Sequence, residues 1–150
     1  MRILFVCSGN TCRSPLAEAI AKRMIADAGR TDLETWSAGT NAWDGSPASD
    51  GALLVGIERG LDLSEHRSRL LTREIVAESD LVLVMAPSHL SRVKELEATS
   101  NAHMLTSFAS GRDEGDAVQD PFGGDLEAYR EAFDEIERAL SGLLDKIPAT

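Results

Sequence analysis

Residues 3–15 read ILFVCSGNTCRSP. The segment begins with four consecutive apolar residues, which is typical of a strand covered on both faces of a sheet. A polar stretch containing glycine follows, and Pro15 then fits the first turn of a helix, where a missing N–H costs nothing. The pattern predicts a strand, a loop and a helix in direct succession, with Cys7 and Arg13 on the loop.

A loop of this kind suits the binding of phosphate. Its backbone N–H groups and the positive end of the following helix stabilise an anion, and this environment favours the thiolate form of Cys7. Arg13 can bind two phosphoryl oxygens through its planar guanidinium, and Ser14 is placed to donate a hydrogen bond to the sulfur. A nucleotide-binding Walker loop is excluded because the Gly-Lys-Ser/Thr ending is absent. The alternative is that Cys7 is a small buried residue beside an ordinary turn.

The rest of the chain alternates between strand-like runs and helix-like patterns. Strands are predicted at residues 3–6, 33–37, 81–85 and 104–108. Helices are predicted at residues 16–28, 48–59 and 88–97, with a short helix opening at residue 72. A final helix carries an apolar stripe at three- and four-residue steps: Leu126, Tyr129, Phe133, Ile136, Leu140 and Leu143. This alternation predicts an α/β fold with a parallel sheet, helices on both faces, and the Cys7 loop at the carboxyl end of the first strand.

Composition narrows the class of protein. The chain has 150 residues, of which 43% are hydrophobic and 27% charged, which suits a single compact domain. The formal net charge of −10 argues against binding nucleic acid or an anionic membrane through a broad basic surface. No apolar run reaches membrane-spanning length and no signal peptide is seen, so a cytoplasmic location is expected. Only two cysteines occur, Cys7 and Cys12, and a reducing compartment would keep them as thiols.

Two motifs carry a resemblance to a known family. Residues 7–14, CSGNTCRS, resemble the signature of the low-molecular-weight protein tyrosine phosphatases, and DPFGG at residues 120–124 resembles that family's second landmark. The resemblance implies one domain over residues 1–150 and four parallel strands in the order 2-1-3-4. It implies that Cys7 attacks phosphorus and that Asp120 first protonates the leaving group and then activates water. It requires no cofactor or metal. The expected partner is a phosphorylated protein, and a monomer suffices because every proposed group comes from one chain.

The resemblance also assigns the residues around the nucleophile. The phosphate-binding residues would be Ser8, Gly9, Asn10, Thr11, Cys12 and Ser14, with Cys7 and Arg13. Trp43 and Phe122 would form apolar walls for the flat part of the substrate side chain. The alternative for Trp43 is a core or simply exposed residue. Residues 110–116 would form a surface loop that brings Asp120 to the site.

Asn10, Ser37 and His66 are expected to share a hydrogen-bond network. Its role would be to hold Asn10 in an unusual backbone conformation, so that the loop N–H groups point inward. An ordinary structural histidine is the alternative for His66. His89 and His103 are expected to be structural or surface residues, and the spacing of the three histidines does not suit metal ligation.

Thr11 bears on the choice of substrate. Many tyrosine-directed members of the family carry a larger aliphatic residue at this place, whereas the bacterial protein-arginine phosphatase branch carries threonine. A hydroxyl there could accept a hydrogen bond from a phosphoguanidinium group. Thr11 and the DPFGG segment therefore favour phosphoarginine, whereas Trp43 favours phosphotyrosine. The sequence predicts a phosphatase acting on one or both, and a strictly phosphotyrosine-specific enzyme is the alternative.

Three other functions use similar loops. A thioredoxin-coupled arsenate reductase needs further cysteines to relay a disulfide, and none follows Cys12. A phosphocarrier of the sugar phosphotransferase system is phosphorylated without hydrolysis, whereas Arg13 and Asp120 favour hydrolysis. An inactive oxyanion-binding regulator is the third. For the enzyme, the sequence predicts redox regulation: oxidised Cys7 would be trapped as a disulfide by Cys12.

Overall fold

A computed structural model describes residues 1–110 and 116–149 of the chain. Its sheet has four parallel strands in the spatial order β2-β1-β3-β4, which confirms the predicted α/β fold and strand order. The strands are β1 (Arg2–Cys7), β2 (Glu34–Gly39), β3 (Leu81–Val84) and β4 (Ala102–Met104). The helices are α1 (Arg13–Asp27), α2 (Asp50–Glu58), α3 (Arg73–Ala77), α4 (Pro87–Leu96), α5 (Leu105–Ser110) and α6 (Leu126–Leu140), and a 3-10 turn spans Leu144–Lys146. None of the described helices is long and apolar enough to span a bilayer.

The sheet is covered on both faces because successive side chains of a strand point in opposite directions. In β1, Ile3 and Phe5 pack in a core with α1, α2, α5 and α6, whereas Leu4 and Val6 pack with α3 and α4. All four side chains are fully buried. Burial of each contributes about 1.5–3 kcal/mol, which explains why a continuous apolar run is needed here.

The prediction of a strand at residues 104–108 is wrong. The edge strand β4 ends at Met104, and Leu105–Ser110 is helical. Leu105 is fully buried and Phe108 packs against the same core, three residues further on. A three-residue step places both side chains on one face of a helix, whereas in a strand they would point to opposite faces.

The strand order places the Cys7 loop at a switch point of the sheet. Cys7 ends β1 and is paired with Gly39, which ends β2, while Val6 is paired with Val84 at the end of β3. The helices that follow β1 and β3 lie on opposite faces, so the chain diverges at this point. Such crevices at the carboxyl ends of parallel strands are where open α/β sheets bind ligands.

Candidate active site

The loop between β1 and α1 holds the sulfur of Cys7 at its base. Cys7 is the last residue of the strand and Arg13 is the first of the helix, and Cys7 is buried. The side chain of Cys12, the N-cap residue of α1, accepts no hydrogen bond from the first N–H groups of the helix. These N–H groups and the positive end of the helix dipole can bind an anion beside Cys7.

Asn10 has an unusual backbone conformation and is tightly held. Its φ of 55° is the one positive value outside glycine among the described residues. Its amide nitrogen donates to Ser14 Oγ at 2.8 Å and to Ser37 Oγ at 2.9 Å, and its Oδ1 accepts from the backbone N–H of Arg69 at 2.9 Å. His66 Nε2 lies 2.7 Å from the backbone oxygen of Asn10. The structure thus brings Ser37 and His66 onto the residue that shapes the loop.

Ser14 links this network to the sulfur. Its Oγ lies 3.0 Å from Cys7 Sγ and accepts a hydrogen bond from the Asn10 amide. Because Asn10 supplies that donor, the hydroxyl hydrogen of Ser14 is free to point at the sulfur. A hydrogen bond of this kind stabilises a thiolate.

A carboxylate and a guanidinium meet beside the loop. The Arg13 side chain is buried, and its Nη1 donates to the backbone oxygen of Val118 at 3.0 Å. Its Nη2 lies 3.5 Å from Asp120 Oδ2 and 3.5 Å from Ser8 Oγ. The carboxylate of Asp120 is half exposed, and its Oδ1 accepts from the backbone N–H of Phe122 at 3.1 Å. Arg13 and Asp120, which are distant in sequence, therefore place a cation and a carboxylate beside the same loop.

The residues predicted as walls lie on the surface. Trp43 is 84% exposed and Phe122 is 72% exposed, which excludes the core alternative for Trp43. The backbone of the Trp43 loop is nevertheless anchored, since Ser68 Oγ donates to the Trp43 carbonyl and Gly45 N–H donates to the Ser68 carbonyl at 2.8 Å. The predicted loop at residues 110–116 lies mostly outside the described residues.

Cys12 lies in a polar pocket inside the fold. Its Sγ is 3.2 Å from Ser49 Oγ and 3.4 Å from the hydroxyl of Tyr129, and the residue is buried. Burial, together with the hydrogen bond to Cys12, raises the pKa of Tyr129 to about 12, so the phenol stays protonated at neutral pH. Ser8, Gly9 and Thr11 form the half-buried outer part of the loop.

Two residues of the site were missed from the sequence. A Cβ on Gly39 would lie 2.5 Å from the Ser8 carbonyl and 2.8 Å from the Asn10 nitrogen, so only glycine lets β2 end against the loop. His89, expected to be structural or on the surface, is buried with Nε2 2.9 Å from Ser8 Oγ. His89 lies near the start of α4, the helix that follows β3, and β3 pairs with β1. The predicted strand order therefore already places the start of this helix near the Cys7 loop.

We expect Asn10→Ala to destabilise the protein by about 2–4 kcal/mol and to weaken its binding of inorganic phosphate. The substitution removes three side-chain hydrogen bonds and leaves alanine in a left-handed conformation. Urea unfolding and phosphate titration measure the two effects. Asn41→Ala is the matched control, because Asn41 is exposed and, among the described residues, its side chain bonds only to the adjacent Thr40. Its stability should change by less than about 0.5 kcal/mol. Equal stability of the two variants would contradict the role given to Asn10.

Comparison with known proteins identifies the family. A family model described as low molecular weight phosphotyrosine protein phosphatase matches residues 2–150. A protein-arginine-phosphatase of Geobacillus stearothermophilus is 41% identical over 97% of this chain and 95% of its own length. A probable low molecular weight protein-tyrosine-phosphatase, EpsP, of Ralstonia nicotianae is 34% identical over 98% of this chain and 96% of its own.

A solved structure shows the same fold with a modified active site. It is a cysteine-to-serine mutant of the arginine phosphatase YwlE with a phosphorylated active-site serine. It superposes with a TM-score of 0.90 and 33% identity, covering 98% of this chain and 95% of that one. Since both motifs, the strand order and the family model agree over nearly the whole length, this chain belongs to the low molecular weight phosphotyrosine protein phosphatase family.

Proposed function

We propose that this chain, a cysteine-dependent phosphatase by family, hydrolyses phosphorylated protein side chains with Cys7 as nucleophile, Arg13 as phosphate ligand and Asp120 as acid and base. The observation that carries the proposal is that the nucleophile, the phosphate ligand and the acid meet at one loop. Cys7 and Arg13 stand at its two ends, and the Asp120 carboxylate lies 3.5 Å from the Arg13 guanidinium. The YwlE structure with a phosphorylated active-site serine supports covalent catalysis in the family.

In the first step, the thiolate of Cys7 attacks phosphorus. An S–P bond forms, the bond from phosphorus to the substrate oxygen or nitrogen breaks, and Asp120 gives its proton to the leaving group. Arg13 and the backbone N–H groups of the loop bind the non-bridging oxygens, where negative charge is concentrated in the transition state. The buried guanidinium is held in place for this by the Val118 carbonyl.

In the second step, water hydrolyses the phosphocysteine. Asp120, now a carboxylate, accepts a proton from the water as its oxygen bonds to phosphorus, and the P–S bond breaks. The departing thiolate receives the hydrogen bond of Ser14, whose Oγ lies 3.0 Å from the sulfur. Inorganic phosphate leaves and the starting state of the site is restored.

Phosphoarginine is the substrate that we favour. Thr11 lies on the half-buried outer part of the loop, where a hydroxyl can meet the guanidinium of the substrate. Two relatives named protein-arginine-phosphatase, from Geobacillus stearothermophilus and Bacillus subtilis, are 41% and 36% identical to this chain. Phosphotyrosine is the second candidate, because the exposed rings of Trp43 and Phe122 are suited to pack against a phenyl group.

A substrate panel with Thr11→Ile distinguishes the two candidates. Wild type should hydrolyse phosphoarginine without added metal, and Thr11→Ile should reduce kcat/KM for phosphoarginine about tenfold or more, while phosphotyrosine turnover is kept. Little phosphoserine turnover is expected, because a short side chain does not reach the base of a deep loop. If wild type ignores phosphoarginine and Thr11→Ile changes nothing, the preference for phosphoarginine is wrong.

Reversible oxidation is part of the proposal. Peroxide would convert the Cys7 thiolate to a sulfenic acid, and the Cys12 thiol would displace hydroxide from that sulfur, which gives a disulfide and water. Thiol reductant should then restore activity to wild type but not to peroxide-treated Cys12→Ser, which has no thiol to protect Cys7 from overoxidation. Equal recovery of the two proteins would contradict this mechanism. A reducing cytoplasm would keep both thiols available, and one chain supplies every group used.

A further inference from the structure

The half-buried Ser8 of the phosphate loop contacts the buried His89, and the mechanism above uses neither side chain. Ser8 Oγ lies 2.9 Å from His89 Nε2 and 3.5 Å from Arg13 Nη2. His89 is 2% exposed, and its Nδ1 is a buried atom with no hydrogen-bond partner within residues 1–110 and 116–149. The direction of the hydrogen bond between Ser8 and His89 therefore depends on which ring nitrogen carries the proton.

The imidazole is neutral at physiological pH. The pKa of His89 is lowered to about 4, mainly by burial and in addition by the positive charge of Arg13, while the carboxylate of Asp120 opposes the shift. A neutral imidazole carries one proton, on either Nδ1 or Nε2.

The surroundings favour the proton on Nε2. With the proton on Nδ1, a buried N–H donor would lack an acceptor in the described part of the chain, and such orphaned donors are rarer in folded proteins than orphaned acceptors. With the proton on Nε2, His89 donates to Ser8 Oγ. The Arg13 guanidinium carries only donors, so it also approaches Ser8 Oγ as a donor.

Ser8 then has one hydrogen-bonding capacity left. A serine hydroxyl has two lone pairs and one hydrogen, and His89 and Arg13 occupy the two lone pairs. The hydroxyl hydrogen is then left for a third partner. A phosphoryl group bound by Arg13 would be an acceptor beside it, because Arg13 Nη2 lies 3.5 Å from Ser8 Oγ, and the hydrogen bonds of such a chain polarise one another.

We infer that His89 is a positioning residue: it donates from Nε2 to Ser8 Oγ and so directs the Ser8 hydroxyl hydrogen at the bound phosphoryl group. The inference rests on the proposed function, because it requires a phosphoryl group at the Cys7 loop. The phosphoryl group would then receive a hydrogen bond from the Ser8 side chain in addition to those from the loop backbone. His89, which is 81 positions away in the sequence, would orient that hydroxyl.

Nitrogen NMR of the wild-type protein tests the tautomer directly. In the presence of inorganic phosphate at neutral pH, long-range proton–nitrogen correlations should show a neutral His89 ring protonated on Nε2. A ring protonated on Nδ1, or on both nitrogens, would overturn the inference. This measurement needs no substitution at the site, so it stands even where a variant fails to fold.

A double-mutant cycle tests whether His89 acts through Ser8. The Kd for inorganic phosphate should rise about tenfold in Ser8→Ala and by a similar factor in His89→Leu, with no further rise in the double variant. His89→Gln, which returns an N–H donor, should recover most of the affinity. His103→Leu, which removes an exposed histidine on β4, is the control for loss of an imidazole. The inference would be overturned if the rise in Kd of the double variant equalled the product of the two single rises, or if His89→Leu bound phosphate with normal affinity.

These tests can be separated from those of the proposed function. Phosphate affinity and the His89 tautomer are both measured without turnover. A wild-type protein that binds phosphate but hydrolyses no phosphorylated side chain would refute the proposed function, while the tautomer and the cycle would still decide the role of His89.

Discussion

Cys7→Ser should lower phosphatase turnover by at least about 10⁴-fold. The serine hydroxyl is far less acidic than a thiol, so the loop would no longer hold a reactive anion, and an oxygen–phosphorus bond would hydrolyse slowly once formed. Substrate turnover at saturating concentration measures the loss. The site should otherwise be intact, because serine is smaller than cysteine and Ser14 Oγ can still hydrogen-bond to it.

Folding and binding provide the control for this variant. The urea midpoint of Cys7→Ser should stay close to that of wild type, and inorganic phosphate should still bind, because Arg13 and the α1 N-terminus are unchanged. Residual turnover above about 1% of wild type in a correctly folded Cys7→Ser protein would be incompatible with a cysteine nucleophile.

Asp120→Asn should reduce kcat/KM, which reports the step in which the leaving group departs, by about 10² to 10⁴-fold, with the largest losses for the most basic leaving groups. An amide cannot supply a proton to the leaving group or accept one from water. A phosphoramidate or an alkyl phosphate should therefore suffer more than p-nitrophenyl phosphate, whose leaving group departs without protonation. Rates measured at one pH for a series of substrates with different leaving groups reveal this dependence.

Asp125→Asn is the matched control for Asp120→Asn. Asp125 caps α6 by accepting from the backbone N–H of Ala128 at 3.0 Å, and asparagine caps helices about as well as aspartate does. This variant makes the same chemical change five residues away and should keep both kcat/KM and stability. An equal loss of kcat/KM in the two variants, or a loss of kcat/KM in Asp120→Asn that is the same for every leaving group, would contradict the role of Asp120 as general acid.

The sequence is most informative where the structure depends on residues that are close together in the chain. The strand, loop and helix of residues 3–15 are decided by a short apolar run, turn residues and Pro15, so the position of Cys7 could be predicted closely. The stripe of α6 was equally clear, and Phe133, Ile136 and Leu140 are fully buried. The strand order followed from the family resemblance, and the structure confirms it.

The residues that were missed depend on contacts between distant parts of the chain. His89 meets Ser8 across 81 positions, and nothing beside His89 in the sequence signals that contact. Gly39 ends a strand, where glycine is unremarkable, and its necessity appears only when the loop packs against it. At the edge of the sheet, β4 has only three residues, too few for its alternation to be distinguished from the start of the following helix.

The most direct test of covalent catalysis is to trap the intermediate. Wild type mixed with phosphoarginine or phosphotyrosine substrate is quenched within the first turnovers, digested and analysed by mass spectrometry, with Cys7→Ser treated in parallel. In the wild-type protein we expect one added phosphoryl group on the peptide that contains Cys7, attached to the sulfur. A protein that turns over substrate while Cys7 stays unmodified, or that carries the phosphoryl group on another residue, would contradict this expectation.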